Sequence, residues 1–256
     1  MEILLESLGI ILFFEFFLFT IAYFTKRNDV ADVGWGLGFG VLALFNFFNN
    51  SNTVFFQRVL LILILAWSLR LAGYMGYRMV GKAEDQRYQE MRAGWKGNQV
   101  LKTLFYVFLL QGFLLWILAI PLIQYLSSPD FTGSNLTWIA VTISVFGLVY
   151  ETVSDLQKSK FKAVHRDPES FIDTGLFKFS RYPQYFGEIM FWLGVALFPM
   201  SWGPQLFLVY APIFLAILLL KISGVPLLEK KYLKRKGYVE YAKRTPLLIP
   251  HFFKSN

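Results

Sequence analysis

Acidic and basic side chains occur within apolar stretches of this chain that are long enough to cross a membrane. Asp32 opens one such segment, Arg70 lies about two turns from the end of another, and Glu188 lies in the first turns of a third. Glu151 and Asp155 are one helical turn apart near the end of a fourth. Ionisable groups in hydrocarbon are costly, so each is a candidate for function. An arginine–carboxylate lattice that only ties helices together explains them equally well.

A second group of polar residues surrounds the predicted start of a late helix. Pro183 fits the first turn of that helix, and Lys178 and Arg181 precede it. A helix N-terminus beside basic side chains suits a phosphate or pyrophosphate group, although phospholipid headgroups would suit it too. Upstream, Glu151 to Lys162 should continue a helix out of the membrane with its charges on one face. The tail from Gly224 to Tyr241 alone indicates an interfacial amphipathic helix.

Seven apolar segments must position these residues. They are residues 3–24, 31–48, 54–77, 103–126, 136–157, 184–200 and 204–223, several of which reach the roughly 20 apolar residues that a span needs. Lysine and arginine fill every second connection, which places those connections and the tail in the cytoplasm and the N-terminus outside. The sequence therefore predicts an all-α integral membrane protein, a single bundle of about seven transmembrane helices.

Composition excludes several classes of protein. The 256 residues are 55% hydrophobic, carry a net charge of +8, and include two histidines and no cysteine. Disulfides, iron–sulfur clusters, thiolate metal sites and a cysteine nucleophile are excluded, and no metal site is predicted. The basic residues flank spans, so they indicate contact with membrane lipids rather than with nucleic acid. The first segment lacks a basic n-region and a cleavage site, and we expect it to be a retained span.

Two features inside the spans favour packing over function. The glycines from Gly34 to Gly40 superficially resemble a nucleotide-binding loop, but they lie inside a span and follow no strand. Their spacing is typical of close helix packing. Glu15, in the middle of the first span, is expected to form a buried hydrogen bond between helices.

Several motifs resemble a membrane superfamily that joins steroid 5-alpha-reductases, sterol double-bond reductases and isoprenylcysteine carboxyl methyltransferases. The stretch from Ser180 to Glu188 (SRYPQYFGE) is similar to its Arg-His-Pro-x-Tyr-x-Gly motif, and the tail from Glu229 to Pro250 is similar to its C-terminal signature. Further matches point to the bacterial steroid-5-alpha-reductase-like branch. They are ADVGWG at 31–36, WSLR at 67–70, GK-x-ED-x-RY at 81–88, Ser154-Asp155 and DTGLF at 173–177.

The resemblance implies one membrane domain over residues 1–256, with residues 1–126 as the substrate-cavity half and residues 136–256 as the cofactor-binding half. It implies NADPH as the cofactor, with Arg70 near its phosphates or nicotinamide. By position, the other cofactor-binding residues would be Asp155, Lys162, Arg181, Tyr182, Gln184, Tyr185, Glu188 and Tyr241.

Steroid reductases polarise the substrate carbonyl with a Glu and a Tyr that have no clear counterpart here. Asp32 and either Trp67 or Tyr74 occupy comparable regions, and Trp cannot act as an acid. A protonated Asp32 or Tyr74 is therefore the expected catalytic acid.

The first functional hypothesis is an NADPH-dependent reductase of a conjugated carbon–carbon double bond in a hydrophobic, steroid- or isoprenoid-like small molecule. The second is an S-adenosylmethionine-dependent lipid or prenylcysteine methyltransferase built on the same C-terminal half. The third is a lipid-binding or scaffold protein without catalytic activity. In a bacterial host, the protein would lie in the inner membrane.

Overall fold

The computed structural model describes residues 1–51, 53–128, 133–165, 167, 169–201, 203 and 205–251. Over these residues the regular structure is helical, without a β-strand. The chain forms two compact units. The first unit comprises Met1–Ser134 with Ser201–Pro204, and the second comprises Asn135–Met200 with Gln205–Asn256.

The first unit contains the helices that carry the early apolar segments. They are α1 (Glu2–Thr25), α2 (Val30–Phe48), α3 (Phe55–Met79), α4 (Gln86–Ala93), α5 (Gln99–Thr103) and α6 (Leu110–Ser127). A π-helical stretch, Leu104–Leu109, joins α5 to α6. Asp85 caps α4, because its carboxylate accepts the backbone N–H of Arg87 at 2.9 Å.

The second unit contains the remaining helices. They are α7 (Asn135–Val164), α8 (Pro183–Met200), α9 (Tyr210–Ile217), α10 (Val225–Tyr232) and α11 (Tyr238–Arg244). The length of α7 confirms that the helix continues through the charged segment to Lys162. The prediction of a single amphipathic helix in the tail is wrong. The tail forms α10 and α11, separated by a turn in which Gly237 has a φ of 79°, a conformation that favours glycine.

Six helical stretches of the described chain are long and apolar enough to cross a membrane, which supports a helical membrane protein. The predicted span at residues 184–200 corresponds to α8, which is not among the six. Polar residues at its start, including Gln184 and Glu188, lower its hydropathy. The seventh span and the orientation of the chain stay predictions.

Close helix packing explains the glycines of α2, as expected. A Cβ on Gly36 would lie 3.0 Å from the backbone N of Ala72 on α3, and one on Gly34 would lie 2.2 Å from Leu18 on α1. The expected hydrogen bond of Glu15 is confirmed too. Its Oε1 accepts Gln111 Nε2 at 3.0 Å, which joins α1 to α6.

The pair α7–α8 is equally tight and positions the start of α8. A Cβ on Gly147 would lie 2.3 Å from the backbone N of Phe191, and one on Gly187 would lie 2.6 Å from the backbone N of Glu151. The backbones of α7 and α8 therefore approach closely, in the way that small residues permit in membrane helices.

Candidate functional site

A lattice of ion pairs surrounds the start of α2 in the first unit. Asp32 accepts two hydrogen bonds, from Arg87 Nη2 at 2.7 Å and from the phenol of Tyr88 at 2.8 Å. Arg87 also contacts Asp85, with 3.0 Å between Nε and Oδ1. These contacts join α2 to the cap and first turn of α4.

The remaining charges of this lattice are also paired. Arg27 binds Asp29 through two hydrogen bonds of 3.1 and 2.9 Å. The buried carboxylate of Glu84 accepts the backbone N–H of Asn28 at 2.7 Å and a bidentate contact from Arg92. The motifs at 31–36 and 81–88 therefore meet in one network, which is the arginine–carboxylate lattice that the sequence analysis considered.

Tyr88 is the residue of this lattice to which sequence reasoning gave no role. Its ring packs against the apolar cluster that includes Leu18, Ala31 and Phe108, while its hydroxyl reaches Asp32. Burial, then the neighbouring Asp32 carboxylate, raises the pKa of Tyr88 well above its usual value. The signal was present in the sequence, because Tyr88 ends the GK-x-ED-x-RY motif.

The other residues predicted for the substrate side lie on α3. Among the described residues, the hydrogen-bond partners of Asp32 are Arg87 and Tyr88, so Tyr74 is not one of them. The ring of Tyr74 lies under the guanidinium of Arg78, 5.7 Å from its Cζ. Trp67 is fully buried against Phe39, with 5.5 Å between ring centroids, and is a core residue.

A different polar cluster forms in the second unit, around the carboxylate of Glu229 on α10. Arg181 Nη1 donates to its Oε2 at 2.6 Å. The phenols of Tyr182 and Tyr238 donate to its Oε1 at 2.7 and 2.6 Å. Burial, and then the hydrogen bond to Glu229, raises the pKa of Tyr238 to about 12. Glu229 on α10 thus organises donors from α11 and from the segment before α8.

The C-terminal tail fixes the same segment from another side. The backbone N–H groups of Arg181 and Tyr182 donate to the carbonyls of Pro246 and Leu247, at 2.9 and 3.2 Å. His251 donates its N–H to the carbonyl of Phe179 at 3.0 Å. These contacts occupy the two N–H groups just before α8, and the phosphate site at the first turn of that helix stays a prediction.

A small cavity lies beside Glu229 and is lined mainly by aromatic side chains. Its walls include Phe171, Phe177, Tyr232, Tyr238 and Tyr241, together with Lys158, Ile172, Arg181, Tyr182 and Gln184. Its volume of about 20 Å³ is enough for roughly one water molecule. A larger ligand can enter only if these walls separate.

Two polar atoms from the cavity walls are buried without a hydrogen-bond partner among the described residues. They are Nε of Arg181, a donor, and Oε1 of Gln184, an acceptor. Gln184 is 7% exposed, so its amide oxygen is well shielded from water. Buried polar groups are nearly always satisfied in native proteins, which makes this pair a candidate contact for a ligand.

An open groove lies on another side of Arg181. We call it the basic groove; it is lined by Arg181, by residues 242–246 and by residues 249–251, and has a volume of about 520 Å³. Lys243, Arg244 and His251 bring further basic side chains to it. Arg244 is held by Asp173 at 3.2 Å. A groove of this size and charge can accommodate an anionic group.

The structure brings together part of the predicted cofactor set. Arg181, Tyr182, Gln184 and Tyr241 line the cavity. Tyr185 stacks on Tyr182, with ring centroids 5.6 Å apart.

The rest of that set does not line the described cavity. Asp155 and Glu188 are buried in α7 and α8, Lys162 is exposed near the end of α7, and Arg70 belongs to the first unit. Sequence reasoning had no role for Glu229 or Tyr238, although both lie in the C-terminal motif.

These residues fit an NADPH-like cofactor in chemical terms. A donor on Arg181 and an acceptor on Gln184 match the carboxamide of nicotinamide or the edge of adenine, each of which accepts one hydrogen bond and donates another. Aromatic walls suit planar rings. Basic side chains in the groove suit phosphate.

Sequence comparisons identify the family. The profile of the family described as "Protein of unknown function (DUF1295)" matches residues 18–245, and the chain belongs to this steroid 5-alpha-reductase-like family. The chain is 27% identical over 207 residues to the uncharacterized protein C594.04c of Schizosaccharomyces pombe. That match covers 71% of this chain but spans only 60% of the relative's length. No solved structure matches the chain significantly.

Proposed function

We propose that this protein is an NADPH-dependent reductase of a conjugated carbon–carbon double bond in a hydrophobic, steroid- or isoprenoid-like substrate. The observation that supports this most is the buried donor–acceptor pair of Arg181 and Gln184 in an aromatic cavity. The membership of this chain in a steroid 5-alpha-reductase-like family agrees with the proposal. For a bacterial host we place the protein in the inner membrane.

In this proposal the second unit binds the cofactor. Arg181 donates to a planar group of the cofactor, and Gln184 accepts a hydrogen bond from it. Glu229 holds the guanidinium of Arg181 in place through its 2.6 Å contact. When bound, NADPH supplies the hydride, and the protein supplies binding and orientation.

The first unit contains the proposed acid for the substrate carbonyl. Both carboxylate oxygens of Asp32 accept hydrogen bonds, from Arg87 at 2.7 Å and from Tyr88 at 2.8 Å, so Asp32 is an acceptor here and not the donor expected from the sequence. The donor of this pair is then the phenol of Tyr88, and Asp32 positions it through their 2.8 Å hydrogen bond. The phenol has one proton, so its hydroxyl must turn from Asp32 to the carbonyl oxygen, where it donates as negative charge develops. Tyr74 stays the second candidate.

The methyltransferase alternative uses a cofactor with different charge. S-adenosylmethionine carries a sulfonium and no phosphate, whereas the basic groove presents Lys243, Arg244 and His251 beside Arg181. Positive side chains favour a phosphorylated cofactor over a cationic one. The positive charge of the basic groove is the reason to prefer the reductase over the methyltransferase.

Titration of the purified protein in neutral-lipid nanodiscs with NADPH, and separately with S-adenosylmethionine, tests the proposal. We expect saturable binding of NADPH only, and its loss in Arg181→Ala and Glu188→Ala. Binding of S-adenosylmethionine in place of NADPH would establish the methyltransferase, and binding of neither would favour a scaffold protein. Unchanged NADPH affinity in both variants would refute the residue assignment.

A further inference from the structure

Arg181 forms part of two different walls in the second unit. One wall belongs to the closed aromatic cavity, and the other belongs to the basic groove. The groove is open and about 520 Å³ in volume, whereas the cavity holds about one water. A charged group can therefore reach the groove from solvent without any movement of the aromatic walls.

The chemistry of the groove favours a phosphate monoester over a pyrophosphate. Proteins usually cradle pyrophosphate with backbone N–H groups at a helix N-terminus or a glycine-rich loop. Two of the groove residues, Pro246 and Pro250, have no N–H, and the N–H groups of Arg181 and His251 are already used in backbone hydrogen bonds. Recognition falls to side-chain cations, which suit a group carrying nearly two negative charges.

The cations of the groove differ in how strongly they are already neutralised. Arg181 is paired with Glu229 at 2.6 Å and Arg244 with Asp173 at 3.2 Å. Lys243 is exposed and forms no ion pair within the described part of the chain. Lys243 therefore contributes the largest uncompensated positive charge, and the carboxylate of Asp173 competes with any incoming anion for Arg244.

We propose that the basic groove binds the 2′-phosphate of NADPH and that Lys243 determines preference for NADPH over NADH. This inference rests on the proposed function and specifies which part of the cofactor the groove recognises. A phosphate monoester on a lipid headgroup has the same chemistry, so the test includes both sources.

Binding of NADPH and NADH is measured for the wild type, Lys243→Gln and Lys236→Gln in phosphatidylcholine nanodiscs. Lys236 is an exposed lysine outside the groove and serves as the matched control. Loss of a charge-assisted hydrogen bond should weaken NADPH binding about tenfold in Lys243→Gln. NADH binding should not change, and Lys236→Gln should resemble the wild type for both nucleotides.

A second variant should act in the opposite direction. Asp173→Asn removes the competing carboxylate from Arg244 and should tighten NADPH binding about threefold, the size expected for an exposed ion pair. NADH binding should stay the same. An equal increase in the affinities for both nucleotides would show that the effect is general electrostatics rather than recognition of the 2′-phosphate.

Three outcomes overturn the inference in distinguishable ways. If Lys243→Gln lowers the affinities for NADPH and NADH equally, the groove would be assigned to the pyrophosphate. Unchanged NADPH affinity in Lys243→Gln, with weaker binding of phosphatidic acid added to the nanodiscs, would assign it to a lipid headgroup. If the wild type binds neither nucleotide, the proposed function fails as well, whereas the first two outcomes leave it standing.

Discussion

The two units each contain a cluster of charged side chains, and the clusters differ in what they leave unsatisfied. Around α2, each of Arg27, Arg87 and Arg92 faces a carboxylate, and Glu84 also accepts a backbone N–H. Around α10, Glu229 is satisfied by three donors, yet a donor on Arg181 and an acceptor on Gln184 remain without partners in the described chain.

This difference separates a structural role from a binding role. A fully paired lattice gains nothing from a ligand, because every buried polar group already has its partner. A donor and an acceptor that are buried beside a cavity are costly until a ligand satisfies them. Stability and ligand binding should therefore respond to mutation in opposite ways in the two clusters.

The largest loss of stability is expected for Arg92→Met. This change leaves the buried carboxylate of Glu84 with the N–H of Asn28 as its remaining hydrogen bond and without its ion pair, which should cost about 3 kcal/mol. Thermal unfolding in detergent measures the effect. The double variant Glu84→Gln/Arg92→Met should recover much of the loss. A single variant as stable as the wild type would show that the lattice does not support the fold.

Glu229→Ala should cost somewhat less, about 2 kcal/mol, since it leaves Arg181, Tyr182 and Tyr238 without their acceptor. Glu229→Gln is the control, because its amide oxygen still accepts from the tyrosines. Both variants should also weaken NADPH binding, since Arg181 is no longer held. Normal NADPH affinity in Glu229→Ala would show that Arg181 is positioned without Glu229.

Asp32→Asn should change stability by about 1 kcal/mol or less, because 44% of the Arg87 side chain and 23% of Asp32 are exposed to solvent. Asparagine offers one acceptor oxygen in place of two, so Arg87 and Tyr88 compete for it and the phenol of Tyr88 is held less firmly. Asp85→Asn is the matched control, since it also weakens a contact of Arg87. Reductase turnover should fall in Asp32→Asn and not in Asp85→Asn. Equal turnover in the two would remove Asp32 from the catalytic proposal.

Much of the fold could be predicted from the sequence, because hydrophobic length identifies spans regardless of their partners. The packing role of Gly34 to Gly40 and the hydrogen bond of Glu15 followed from the same rule, that polar or small residues in a span must face other helices. The span at 184–200 was harder, since α8 begins with polar residues that lower its hydropathy.

The candidate site was less predictable, because it depends on contacts between distant residues. Sequence spacing placed Arg181, Tyr182 and Gln184 together, but no local pattern reveals that Glu229 binds the first two from 48 and 47 residues away. The partner of Asp32 was missed for the same reason. Tyr74 lies on the neighbouring helix, yet Tyr88 reaches Asp32 from α4.

The smallest effect on stability is expected for Gln184→Leu. This variant distinguishes the two clusters most clearly, because it should lower ligand affinity without lowering stability. The change removes a buried acceptor that has no partner in the described chain, so stability should stay within about 1 kcal/mol of the wild type or rise. NADPH affinity should nevertheless fall about tenfold, because the ligand loses the acceptor that it would satisfy.

Gln57→Leu in the first unit is the matched control, since Gln57 is also a buried glutamine. Its amide donates to the carbonyls of Tyr125 and Ser128 at 2.9 and 2.7 Å and accepts the N–H of Val54 at 3.0 Å. We expect this variant to lose about 2 kcal/mol of stability and to keep its NADPH affinity. Comparable loss of stability in both glutamine variants would mean that Gln184 supports the fold, and its assignment to the cofactor would then fail.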